Sequence, residues 1–135
     1  MDIFFQDPTA IPLPPDEVRI IELRADLWPD NRRVRIYLEL TPFQKRPSGE
    51  ITIYNPSGEE VASASIIETM TSKMELTMHL RGSISPGQYQ VNASIFYEEI
   101  SEESDTREQT ELPKRTVIDT ATVVFLIQRS SESQT

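Results

Sequence analysis

Cysteine is absent from the 135 residues, glycine occurs four times, and histidine and tryptophan occur once each. Without cysteine the chain has neither disulfides nor thiolate zinc sites, so its stability must come from packing and sheet hydrogen bonds. No apolar run approaches the roughly 20 residues of a membrane-spanning helix. Near the N-terminus, Asp2 stands where a secretory signal peptide carries lysine or arginine. We therefore expect a soluble cytoplasmic protein without membrane contact.

Basic residues are scarce as well, with 13 against 22 acidic residues and a net charge of −9. Such a chain repels the phosphates of a nucleic acid unless its bases gather on one face. Strand alternation would place Arg33 and Arg35 on one face with Tyr37. We interpret this group as an ordinary charged face and expect no nucleic-acid partner. The only concentration of bases comprises Arg32, Arg33, Arg35, Lys45 and Arg46.

Motifs that would identify a reaction are missing, because the sequence contains neither Gly-x-Ser-x-Gly nor a phosphate-binding loop. His79 lies on the outward face of a predicted strand, and no second group at a recognisable spacing could act with it. We expect a protein that is not an enzyme and that needs no cofactor.

Residues 98–111 contain seven acids and one arginine. They lack the Asp-x-Asp-x-Asp-Gly spacing with which a loop wraps around calcium, so a mobile solvated loop is favoured over a metal site. Whether the loop binds cations stays open. The candidate oxygen ligands are Glu98, Glu99, Glu102, Glu103, Asp105 and Glu108.

Alternating apolar residues dominate the rest of the chain. After a turn at Pro86 and Gly87, one face of a strand carries Tyr89, Val91, Ala93, Ile95 and Tyr97, opposite a polar face. This pattern is typical of a strand with one side on a core. Similar patterns predict further strands at 17–27, 32–41, 50–55, 60–67, 73–80 and 115–128.

About seven strands, separated by turns of Pro, Gly, Asn and Asp and without a helical period, predict an all-β fold. An antiparallel two-sheet sandwich is favoured, and a small barrel is the alternative. Residues 17–128 form its body. Residues 1–16 are predicted to be an extended proline-rich segment, and residues 129–135 a disordered polar tail.

The segment from Pro86 to Val91 resembles the start of the sixth strand in immunoglobulin-like and fibronectin-type-III-like domains. The resemblance implies that Tyr89 is a buried corner tyrosine whose hydroxyl bonds to nearby backbone. Val91 stands where antibody domains carry their second cysteine, and Ile51 and Ile53 replace the tryptophan of their third strand. The resemblance therefore implies a generic immunoglobulin-like module with a binding role. It identifies no site.

Apolar residues on the outward side of three predicted strands are the strongest functional signal. They need a cover, which could be the chain's own N-terminal segment, a second copy or another protein. We predict a non-catalytic protein-interaction or structural module that acts as a subunit of a homo-oligomer or as an adaptor. The candidate interface consists of Val18, Ile20, Phe96, Val124 and Leu126.

A carbohydrate- or ligand-binding sandwich is the alternative function. Sugars bind aromatic platforms, and the only candidate platform residues are Tyr37, Tyr54 and Phe96. Trp28 falls in a turn.

Overall fold

The computed structural model describes residues 11–99 and 114–128. This part of the chain contains a 3-10 turn at Pro15–Glu17 and seven strands, and none of its helices could cross a membrane. All seven predicted strands are present. The predicted tail, residues 1–10 of the N-terminal segment and most of the acidic stretch lie outside the described residues. The strands are β1 (Ile20–Leu27), β2 (Arg33–Leu40), β3 (Ser48–Tyr54), β4 (Glu60–Ile66), β5 (Lys73–His79), β6 (Gly87–Glu99) and β7 (Lys114–Ile127).

Two antiparallel sheets make up the fold. One has three strands in the order β1-β2-β5, and the other has four strands in the order β4-β3-β6-β7. The predicted all-β sandwich is thereby confirmed in place of the small barrel. Alternate residues of both sheets point inward and form one core. Its fully buried members include Val34, Ile36, Leu38, Ile51, Ile53 and Val91.

A register shift in β1 corrects the predicted orientation of its first residues. The shift lies between Ile20 and Glu22, and Ile21 is 55% exposed, whereas Val18 is fully buried and Ile20 packs against the core. The alternation along this strand had predicted that Val18 and Ile20 face outward. An extra residue in one strand reverses inward and outward positions on one side of the bulge. The Ile20 amide donates to Asp119 Oδ2 at 2.9 Å, which holds this irregular end against β7.

Tyr89 fixes the turn that precedes β6. Its side chain is 1% exposed and its ring stacks on Phe125, with 5.2 Å between ring centroids. The hydroxyl donates to the Ser85 carbonyl at 2.7 Å and accepts from the Ser85 amide at 3.2 Å. Both the burial and the backbone hydrogen bond expected of Tyr89 are therefore present.

Gly87 begins β6 with a positive φ of 136°. A Cβ atom at this position would lie 2.7 Å from Pro56 Cγ, so only glycine lets the β3–β4 turn approach β6 this closely. That turn is closed by a 2.9 Å hydrogen bond from the Gly58 amide to the Asn55 carbonyl. The close approach places the turn beside one end of the four-stranded sheet.

Candidate functional site: the outer face of the four-stranded sheet

The two sheets differ sharply in the charge of their outer faces. On the three-stranded sheet the outward residues form ion pairs, with Arg24 Nη1 2.6 Å from Glu22 Oε2 and Arg35 Nε 3.2 Å from Glu75 Oε2. We call this surface the charged face. It consists of Glu22, Arg24, Asp26, Arg33, Arg35, Tyr37, Glu39, Lys73, Glu75, Thr77 and His79.

Arginines of the charged face also stack on aromatic rings. The Arg33 guanidinium lies 4.0 Å from the centre of the Trp28 ring and pairs with Asp30 at 2.8 Å. Arg24 lies 4.6 Å from the centre of the Tyr37 ring. Stacking of this kind orders long side chains against the sheet. Each arginine of the charged face is thus paired with an acidic side chain.

The predicted group of bases is divided between the two ends of β2. Arg32 precedes β2 and donates to the carbonyls of Leu80 and Gly82 at 2.9 and 3.2 Å. Lys45 and Arg46 follow the other end of the strand. The five bases therefore do not share one surface, and Arg33 and Arg35 are each paired with an acid.

Two ionisable groups near β2 have displaced pKa values. Hydrogen bonds from the Arg32 amide, then from the side chain and amide of Arg33, lower the pKa of Asp30 from 3.8 to about 2. Burial, and then the charge of Glu39, raise the pKa of Tyr37. At neutral pH, Asp30 is therefore ionised and Tyr37 is neutral.

On the four-stranded sheet, the charged outward residues of the described strands lie towards the ends of the outer face, with Glu50, Glu98 and Arg115 at one end and Glu60, opposite Tyr54, at the other. Between these ends the outer face is uncharged. Its residues present hydroxyl and amide groups, with aliphatic groups along β7. We call this surface the uncharged face. It consists of Thr52, Tyr54, Ser63, Ser65, Gln88, Gln90, Asn92, Ser94, Thr120, Thr122, Val124 and Leu126.

Hydrogen bonds organise the centre of the uncharged face. Asn92 Oδ1 accepts from Gln90 Nε2 at 2.9 Å and from Thr122 Oγ1 at 3.1 Å, which ties β6 to β7. Two shallow depressions meet at Asn92. One is lined by Tyr54, Asn55, Pro56, Gly58, Gln88, Gln90 and Asn92, and the other by Glu50, Thr52, Asn92, Ala93, Ser94, Thr120, Ala121 and Thr122.

Along β7 the uncharged face becomes apolar. Val124 is 51% exposed and Leu126 is 58% exposed, and they lie opposite Gln90 and Gln88 of β6. Both belong to the predicted interface, and both are at the surface. An amide-rich centre beside aliphatic side chains gives hydrogen bonding and apolar contact on one surface.

Phe96 is covered by its own chain. Its side chain is 4% exposed, and the Arg115 guanidinium lies 3.9 Å from the ring centre. Arg115 is held there by Glu50 at 3.3 Å and Glu98 at 3.4 Å. The prediction that Phe96 forms an exposed face is therefore wrong, because a neighbouring strand supplies a stacking cation.

The five predicted interface residues do not share one surface. Val18 and Ile20 belong to the core, Phe96 lies under Arg115, and Val124 and Leu126 are exposed. Sequence reasoning missed the polar part of the uncharged face as a site. The signal for it was the run of Gln88, Gln90, Asn92 and Ser94, which contains no charged residue, unlike the outward positions of β1, β2 and β5.

The histidine and aromatic residues considered as sites from the sequence do not come together in the described structure. His79 is exposed opposite Arg33, and within the described ranges no group of three or more His, Asp or Glu residues could hold a metal ion. Tyr37 lies on the charged face and Phe96 is covered, so Tyr54 is the one proposed platform residue on the uncharged face. The predicted three-residue platform is not assembled.

Neither a protein-family model nor a curated protein matches the chain. Among solved structures it is similar to Bifidobacterium dentium β-glucuronidase complexed with coumarin-3-O-glucuronide, with 17% sequence identity and a TM-score of 0.45. The match covers 82% of this chain and 18% of the glucuronidase chain. This chain thus corresponds to less than a fifth of that protein, and the similarity carries over no residue or activity.

Proposed function

We propose that this chain is a non-catalytic protein-interaction module and that the uncharged face is its binding surface. The contrast between the two outer faces carries the proposal. Charged residues make up 26% of the chain, and charged residues are depleted where proteins bury surface against one another. Ion pairs cover the charged face, whereas a partner can dry the uncharged face without stripping water from ions.

The proposal includes an immunoglobulin-like identity for the fold. Supporting it are the sheet order β1-β2-β5 with β4-β3-β6-β7 and the bond from Tyr89 to Ser85 just before β6. In constant-type antibody domains the fourth strand belongs to the first sheet, whereas β4 here pairs with β3. The chain is therefore proposed as a generic member of this architecture and not as an antibody-type domain.

A protein is proposed as the partner, to the exclusion of nucleic acid and membrane. Pairing of Arg33 with Asp30 and of Arg35 with Glu75 leaves those bases unsuited to contact phosphate groups. The cytoplasmic location expected from the sequence is part of the same proposal, and cell fractionation tests it.

Two near-matched acidic substitutions test the binding surface. Gln90→Glu puts a charge at the centre of the uncharged face with almost no change of shape, and Thr77→Glu adds the same charge to the charged face opposite Arg35. Proteins captured from cells by the wild type should be retained by Thr77→Glu and lost with Gln90→Glu. Equal capture by both variants would overturn the uncharged face as the binding surface.

Carbohydrate binding is kept as a second candidate because of one depression. Tyr54 lies there beside Gln88, Gln90 and Asn92, so one aromatic ring accompanies several amide groups. Amides bond to sugar hydroxyls and a ring covers an apolar sugar face. On a glycan array, Tyr54→Ala should abolish binding if this function is correct, whereas Val124→Glu should leave it intact. An array that binds no glycan would remove this candidate.

A further inference from the structure

The structure assigns a second copy of this chain to the exposed edge of β7, added strand to strand in the antiparallel sense. This inference rests on the proposed function, since it names one partner of the module, which joins beside Val124 and Leu126 where the uncharged face ends at β7. The result would be a continuous sheet that crosses from one copy to the other.

Edge strands normally carry features that prevent pairing with another chain, such as charges, prolines and bulges. β1 has a register shift and carries Glu22 and Arg24. β5 carries Lys73, Glu75 and His79 along its outward side. β4, the other edge of the four-stranded sheet, has a register shift opposite its first residues, and its Val61 carbonyl accepts from the Arg81 amide at 2.9 Å. Each of these three edges is protected over at least part of its length.

The edge of β7 is protected only along its first half. Asp119 and a register shift near Val117 lie in that half. From Thr120 to Gln128 the sequence contains no charged residue, no proline and no glycine. Among the described strands β7 pairs with β6 alone. β1 lies beside β7 and bonds to the Asp119 side chain, but within the described part of the chain no backbone hydrogen bond joins these two strands, so the backbone groups on this side of residues 120–128 are unpaired.

Charge favours a second copy at this edge. Two copies of a chain with a net charge of −9 repel each other wherever their acids meet. Along residues 120–128 no like charges would be opposed. Val124 is the midpoint of that segment, so antiparallel pairing about it sets Val124 against Val124 of the partner subunit.

With Val124 opposite Val124 of the partner subunit, the other opposed residues are also chemically compatible. Leu126 would lie opposite Thr122 of the partner subunit on the uncharged face, and Thr120 opposite Gln128 of the partner subunit. Every opposed pair is uncharged, and Val124 and Leu126, both exposed in a single copy, each gain a side chain of the second copy as a neighbour. The strand is therefore complementary to itself, as a twofold contact requires.

Single-cysteine variants test the pairing directly, because the chain has no cysteine of its own. Directly opposed antiparallel residues have Cα atoms about 4.5–5.5 Å apart, within the range that a disulfide spans. Val124→Cys should therefore give a covalent dimer on mild oxidation. Gln90→Cys on β6 would be about 14 Å from its counterpart, three strand spacings away, and should not crosslink. Thr77→Cys lies on the other sheet, so its crosslinking rate measures random collision between molecules.

Sedimentation completes the test. The wild type should be a dimer at micromolar concentration, and Val124→Glu should be monomeric with unchanged circular dichroism. A monomeric wild type whose Val124→Cys crosslinks no faster than Thr77→Cys would overturn the inference. Fastest crosslinking at Gln90→Cys would instead show stacking of faces, which overturns the edge pairing and leaves the proposed binding surface standing. Whether Gln90→Glu loses the captured proteins tests the uncharged face independently of the dimer.

Discussion

The hydroxyl of Tyr89 donates a 2.7 Å hydrogen bond to the carbonyl of Ser85, four residues earlier in the chain. Tyr89→Phe removes this bond and the one from the Ser85 amide while keeping the ring stacked on Phe125. Unpaired buried groups cost about 1–3 kcal/mol, so the free energy of unfolding should fall by about that amount. Chemical denaturation measures it, with Tyr54→Phe on the outer face as control. An unchanged midpoint would contradict a stabilising role for the turn contact.

Gly87 and Gly82 allow backbone strain and steric overlap to be separated. Both have positive φ, but a Cβ at Gly87 would lie 2.7 Å from Pro56 Cγ, whereas at Gly82 no atom lies within 4 Å. Gly87→Ala should lower the free energy of unfolding by about 1–3 kcal/mol more than Gly82→Ala, since overlap adds to strain. Thermal melting of the two variants makes the comparison. Equal losses would show that the β3–β4 turn moves away without cost.

Asp30 should make stability depend on pH in the acid range. Its folded pKa is lowered from 3.8 to about 2, so its contribution is complete above about pH 4 and is lost as the pH falls towards 2. Asp30→Asn cannot titrate. The melting-temperature difference between wild type and Asp30→Asn should therefore shrink across this window. A difference that stays constant from pH 5 to about 2 would contradict the lowered pKa.

Arg115 should protect Phe96 by stacking rather than by charge alone. Arg115→Lys keeps the charge but loses the planar group that lies 3.9 Å from the ring centre. Both Arg115→Lys and Arg115→Ala should lower the free energy of unfolding, by about 0.5–1 kcal/mol for the stacking contact, and should increase binding of a hydrophobic dye. If Arg115→Lys keeps the stability of the wild type, the ion pairs with Glu50 and Glu98, and not the stacking, account for the stabilisation by Arg115.

Strand positions and most of the core were predictable because alternation is a local property. Val91, Ala93 and Ile95 were predicted to share the core-facing side from the alternation in β6 alone, and all three are buried. The orientation of Val18 and Ile20 was not predictable in this way. It depends on a bulge held by Asp119, which lies 99 residues from Ile20 in the sequence.

The candidate site was predictable only in part for a similar reason. The exposure of Val124 and Leu126 follows from alternation along one strand, and their role in an interface stays a prediction. The cover over Phe96 requires knowing that Arg115 occupies the neighbouring strand. The charge-free run in β6 was visible in the sequence, but the extent of the uncharged face appears only when β4, β3, β6 and β7 are placed side by side.

The strand order has a consequence for how the chain folds. β2 pairs with β5 and β3 pairs with β6, so the two sheets interleave along the sequence. A growing chain can complete the first sheet once β5 has left the ribosome, but six of the eighteen buried core residues, among them Tyr89, Val91 and Ile95, arrive only with β6 and β7. Closing such distant pairings is slow, on the order of milliseconds to seconds for all-β domains. Nascent chains that end before β6 therefore have no closed core, and the apolar surface of the first sheet should make them substrates of chaperones.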